Sequence, residues 1–241
     1  MSLAISIYVP AGIVMTADSR VTGTLTREEQ QSSPEGLSQT VRLQQQLAFS
    51  DNAQKLIALD EAGVGISCFD SVIIEGQAIE THIREFDMSE RPRPTESVQA
   101  IALRLIEYFK REFPEVSVGF HVAGYRLEHD RQLPQVYSCH TQIEPLPVRR
   151  NVNEQGQIVY GITRSGETSI TNRLIDPQST PYFDAMPLQD AVDYALFLMR
   201  TTVEALRFEP RYAAVGGPID LLVITSNRMQ FIQHKELHGE R

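Results

Sequence analysis

MSLAISIYVPAGIVMTADSR, residues 1–20, holds two apolar runs around Pro10-Ala11-Gly12. Each run is long enough for a strand, and Pro-Ala-Gly is turn chemistry. Leu3–Val9 and Gly12–Ala17 therefore read as a β-hairpin. The second run ends in Asp18-Ser19-Arg20, and a small hydroxyl residue, Ser2, stands before the first. An aspartate closing an apolar strand needs a reason, because a carboxylate next to a core must find partners.

Outward from the hairpin, residues 24–46 are polar ("TREEQQSSPEG", "QQQ") and read as a long loop or extended hairpin inserted in one domain. Lys55–Leu59 and Val64–Cys68 read as a second strand pair about Asp60-Glu61-Ala62-Gly63. Residues 70–86 read as helical. After "RPRP", Thr95 is the expected cap of a helix whose stripe is Val98, Ile101, Ala102, Leu105 and Phe109. Val116–Tyr125, Gln135–His140 and Ile158–Thr163 follow as strands. The strongest helix carries Leu188, Ala191, Val192, Ala195, Met199, Thr202, Val203 and Leu206 on one face, with Pro187 at its first turn. "IDLLVIT" and "RMQFIQ" form a last strand pair. Blocks of strands and helices without βαβ alternation predict an α+β fold, antiparallel sheets with helices outside, over a single domain spanning 1–241.

Composition narrows the function. Hydrophobic residues make up 41% of the 241, enough for a full core. A net charge of −9 argues against nucleic acid and anionic membranes, both of which select Lys and Arg. No run approaches the length of a membrane span. The opening run lacks the positive flank of a secretory signal and is interrupted by Pro10 and Gly12, so a cytoplasmic protein is expected. Cys68 and Cys139 lie in apolar runs and read as inert buried thiols. The six histidines are scattered; His121 and His140 fall in strands as structural histidines, and no metal spacing or phosphate loop occurs. No cofactor is expected.

Five segments in order resemble one family. "GIVMTADSR", "QKLIALDEAGVGISC", "LPQVYSCH", "MPLQDAVDYA" and "GGPIDLLVIT" are similar to the segments of proteasome β-type subunits, the bacterial ancestral β-subunit (Anbu-like) branch included. The resemblance implies a four-layer αββα sandwich and an N-terminal nucleophile hydrolase acting on amide bonds of peptides or unfolded proteins. It also implies a homo-oligomeric ring; an ATPase or activator partner is not readable. It sets Ser2 at the place of the family's N-terminal threonine, Asp18 at the motif aspartate and Lys55 at the motif lysine. Ser165 falls on the serine that supports the amine, and Cys68 near the residue whose amide faces the oxyanion. Tyr212 and Val215 stand where the family often has an aspartate and a second serine.

The chemistry has its own logic. With Met1 removed, Ser2 carries nucleophile and base on one residue, its α-amine having a reference pKa of about 8. A lysine nearby disfavours further positive charge and lowers that value, and an aspartate fixes the lysine. Backbone N–H groups would stabilise the oxyanion. Each residue also has a plainer reading: Ser2 as an ordinary penultimate residue, Asp18 as a strand-end cap, Lys55 as an edge-strand lysine, Ser165 as a loop serine before a helix. A catalytically silent ring or scaffold subunit and a small-molecule amidase are the rival functions. Asp18 and Lys55 are 37 positions apart, so their meeting depends on the fold.

Overall fold

The computed structural model describes residues 2–32, 38–128, 130–176 and 180–235. In chain order come β1 (Leu3–Val9), β2 (Gly12–Ala17), β3 (Val21–Ser32), β4 (Ser38–Ser50), β5 (Leu56–Leu59) and β6 (Val64–Asp70). The short strands β7 (Ile73–Ile74) and β8 (Gln77–Ala78) lead into α1 (Ile79–Glu90) and α2 (Val98–Glu112). Then follow β9 (Val118–Glu128), β10 (Arg131–His140), β11 (Glu144–Arg149), β12 (Gly161–Gly166) and α3 (Ser169–Leu174). α4 (Leu188–Leu206), β13 (Asp220–Ile224) and β14 (Met229–Gln233) close the described chain.

The fold is α+β. Two five-stranded sheets run in the orders β12-β1-β2-β13-β14 and β11-β10-β9-β6-β5, antiparallel throughout. Alternation along each strand sorts the side chains into three cores. Leu3, Ile5, Ile7 and Val9 of β1 pack with Ala191, Ala195 and Leu198 of α4. On the opposite face, Tyr8, Ile13, Met15 and Ala17 share a cluster with Leu56, Ala123 and Val136 of the second sheet. That sheet's other side, with Ile57, Ile66 and Cys68, packs against Ile83, Ile101, Leu105 and Phe109 of α1 and α2. Every residue of β1 and β2 is buried, which explains why both read as unbroken apolar runs and not as polar–apolar alternation. No helix among the described residues is long and apolar enough to cross a membrane.

The polar stretch 24–46 lies in the β3–β4 hairpin, whose strands pair with one another from Val21↔Ser50 to Ser32↔Ser38. Residues 33–37 of that stretch lie outside the described residues. At the hairpin base, Arg20 grips Asp51 with two bonds, Nε–Oδ1 2.7 Å and Nη2–Oδ2 2.9 Å.

Several boundaries differ from the sequence reading. Residues 70–78 are not helical: Asp70 (φ 70°), Glu75 (φ 49°) and Gly76 (φ 80°) turn the chain through the β7–β8 pair, and α1 starts at Ile79. The cap of α2 is Ser97, not Thr95, its hydroxyl accepting from the Ala100 amide at 3.1 Å. β9 and β10 extend through polar residues as far as the Glu128↔Arg131 pair. β11 was not foreseen because Pro145 and Pro147 disfavour an interior strand; it sits at a sheet edge, where prolines are tolerated.

Candidate active site

Asp18 follows directly on β2, and the β1–β2 register (Ala4↔Ala17) sets it against the start of β1. Its carboxylate is fully buried. Oδ1 accepts from the Leu3 amide at 3.0 Å; Oδ2 accepts from the amides of Arg20 and Gly216, both at 3.1 Å. The Lys55 ammonium donates to both oxygens at 3.1 Å. Three backbone donors and one cation thus explain how an aspartate can end an apolar strand.

Lys55, just before β5, is also fully buried, and its third bond goes to the Arg20 carbonyl at 2.5 Å. An ammonium has three hydrogens, so these three acceptors saturate it. That leaves no ammonium hydrogen to donate to Ser2. The 37-residue gap is closed by the β3–β4 excursion, which leaves and re-enters at the same sheet end.

Ser2 is buried, and its Oγ has no hydrogen-bond partner among the described residues. Its carbonyl accepts from the Glu167 amide at 2.8 Å. Gly166 lies beneath it with φ 86°, and a Cβ there would stand 1.8 Å from the Ser2 oxygen. Only glycine fits, for space and for backbone angle. A buried hydroxyl without a partner is rare in a structural role.

The remaining expected residues divide. Ser165 is held by His121, Nε2 to Oγ 2.9 Å, while His121 Nδ1 meets Ser6 Oγ at 3.1 Å. Burial first, and the charge of Arg150 second, push the His121 pKa down to about 3, so the ring is neutral. Cys68 corrects the sequence expectation. Its amide donates to the Lys55 carbonyl at 2.9 Å as a ladder bond between β6 and the residue before β5, so it is not free for an oxyanion. Its thiol lies in the core on the helix side, where burial pushes its pKa up to about 12. Val215 is buried in the α4 core and Tyr212 is half-buried.

Three neighbours escaped the sequence reading. Gly216 reaches Asp18 by its amide, a bond no side chain announces. Glu167, beside Ser2, is buried and bound by Arg211 at 2.6 and 3.1 Å; Arg211 holds its carboxyl below the usual carboxylate range. His121 was classed as structural; a strand histidine flanked by serines on two other strands has no linear signature. His140 is satisfied by Asp70 at 3.0 Å and by the amides of Gln142 and Ile143. No group of His, Cys, Asp and Glu among the described residues is arranged to hold a metal.

Two antiparallel sheets thus bring a buried Asp18–Lys55 pair to the start of the first strand. Among solved structures, the chain is similar to the Gly-1 mutant of Anbu from Hyphomicrobium sp. strain MC1, with 16% identity and a TM-score of 0.60 over 96% of this chain and 87% of that one. The fold is thus Anbu-like. No protein-family model matches the sequence, and no curated protein does.

Proposed function

We propose that the chain is an N-terminal nucleophile hydrolase that cleaves amide bonds of peptides or unfolded proteins with Ser2 after removal of Met1. The observation that carries this reading is the shared carboxylate: Asp18 Oδ1 accepts both from Leu3, next to Ser2, and from Lys55. That bond ties the start of β1 to a fixed positive charge. The freed α-amine accepts the Ser2 Oγ proton as the oxygen attacks the carbonyl carbon. The Lys55 charge disfavours the ammonium form and keeps the amine available as base. The protonated amine then returns its proton to the leaving nitrogen, and water hydrolyses the acyl ester. The buried Ser2 hydroxyl, without a partner among the described residues, supports the nucleophile role.

The same reading includes a four-layer αββα stack in one domain with the β3–β4 hairpin as insertion, a cytoplasmic location and a homo-oligomeric ring. The three cores, one of them shared by the two sheets, support the stack. A catalytically silent scaffold subunit is the second reading, favoured by the Cys68 amide being bonded to Lys55. Intact mass decides first between them. A free Ser2 that is labelled by an epoxyketone or β-lactone, with labelling lost in Ser2→Ala, supports the enzyme. A retained Met1 with no labelling refutes it.

A further inference from the structure

His121 bridges the two sheets close to Ser165. It stands on β9 of one sheet, and both its partners, Ser6 of β1 and Ser165 of β12, belong to the other. His121 and Ser6 are fully buried, whereas Ser165 is half-buried in the wall of a cleft of about 380 Å³ that also takes in Thr163, Arg150 and Arg164. Ser165 pairs with Ala4 in the β1–β12 register. Side chains two apart on a strand share a face, so Ser165 is the diagonal neighbour of Ser2.

The direction of the hydrogen bonds follows from counting protons. Ser6 Oγ has no other partner among the described residues. Were Nδ1 protonated, it would donate to Ser6, and the buried Ser6 proton would have no acceptor. If Ser6 donates to Nδ1 instead, both fully buried groups, the Ser6 hydroxyl and the His121 ring, are matched. The ring proton then sits on Nε2 and is donated to Ser165 Oγ. The Ser165 proton is left to point elsewhere.

We propose that His121 is a positioning residue that, through the Ser6–His121–Ser165 chain, makes the Ser165 hydroxyl a hydrogen-bond donor to the Ser2 α-amine. The inference rests on the reading of Ser2 as a freed N-terminal nucleophile. A proton donated to the neutral amine favours the base form; a hydroxyl free to rotate would instead accept from the ammonium and favour the acid form. Most charged groups on the surrounding elements come as pairs, while Arg164 of β12 donates to the neutral Asn172 at 3.0 Å. Asp18 after β2 binds Lys55 before β5, and Glu167 after β12 binds Arg211 before β13. Arg150, after β11, faces His121 and is bound to Glu144 at 2.6 Å. Because burial keeps the imidazole neutral, its tautomer sets the direction of the chain.

The test uses the full-length protein with Met1 shown by mass to be absent. Two quantities are measured against pH: competitive acetylation of the Ser2 amine by trace acetic anhydride, and the acid limb of kcat/KM on a peptide. In His121→Phe and in Ser6→Ala both midpoints should rise by about half a pH unit or more, the effect of one reversed hydrogen bond. His121→Gln, which retains an N–H near the Nε2 position, should restore them. In Ser165→Ala the midpoint should also rise, and adding His121→Phe should change it no further. Should His121→Phe fail to fold, Ser6→Ala carries the test with a smaller change. An unmoved amine midpoint in folded Ser6→Ala overturns the relay, while hydrolysis that still depends on Ser2 leaves the proposed function intact. A retained Met1 in the mass spectrum overturns both.

Discussion

Replacing Asp18 and Lys55 singly and together measures what holds the site. Asp18 accepts five bonds, three from backbone amides and two from one ammonium, and all four partners are donors. In Asp18→Asn, either orientation of the amide turns an NH2 group toward donors and leaves the buried Lys55 charge uncompensated. The expected loss is about 3–5 kcal/mol, the range for breaking a buried ion pair. Lys55→Met is milder. It leaves a buried carboxylate, but one that keeps three amide donors, so a loss of about 2–3 kcal/mol is expected. The double variant should lose less than the sum of the two, with a coupling of about 1–3 kcal/mol. It should still be less stable than wild type, because Leu3, Arg20 and Gly216 then compete for one amide oxygen. Urea unfolding at neutral pH, extrapolated linearly to water, reads all four corners of the cycle. Additive losses, or Lys55→Met as costly as Asp18→Asn, would refute the reasoning that the carboxylate mainly serves the backbone and the lysine mainly balances it.

Other perturbations have equally definite outcomes. Ser2→Ala should abolish peptide hydrolysis while mass spectrometry still shows Met1 removed, and Lys55→Ala should lower kcat/KM by about 10²–10⁴-fold. Gly166→Ala places a Cβ 1.8 Å from the Ser2 carbonyl oxygen at φ 86°, so its melting temperature should fall well below that of Gly161→Ala, where the nearest atom is 3.5 Å away. Because Arg211 lowers the folded-state pKa of Glu167, the pair stabilises the fold above the ordinary glutamate range and loses that stabilisation as pH falls through the lowered value. The stability gap between wild type and Glu167→Gln should therefore shrink between about pH 6 and pH 3; a gap that widens on acidification contradicts the assignment. Replacing residues 24–46 with a short turn should leave the cooperative unfolding of the remainder unchanged, as judged by circular dichroism.

The strands and helices that carry the cores were legible because burial on both faces leaves strong apolar runs. β1, β2, β5, β6 and β13 needed little beyond counting. Reading failed where backbone geometry decides and side chains do not. Residues 70–78 hold the apolar Val72, Ile73 and Ile74 and run on into a true helix, yet positive φ at Asp70 and Glu75 turns the chain first. β11 alternates prolines with Leu146 and Val148, a pattern that belongs to an edge whose amides face away from the ladder.

The site divides along the same line. Asp18 drew attention as a carboxylate closing an apolar run, whereas Lys55 was named by the resemblance to proteasome β-type subunits. Their bond across 37 residues follows from the strand order, which no local pattern contains. The Cys68 amide shows the limit more sharply. Alignment by resemblance assigns it a role, but a strand amide is either in the ladder or available to a ligand, and the β5–β6 register (Leu56↔Ser67) carries Cys68 into the ladder opposite Lys55. A shift of one residue reverses the side to which an amide points. An oxyanion donor on β6, if the chain is an enzyme, must therefore be an amide that this register leaves unpaired, which a bound transition-state analogue would reveal by its contacts.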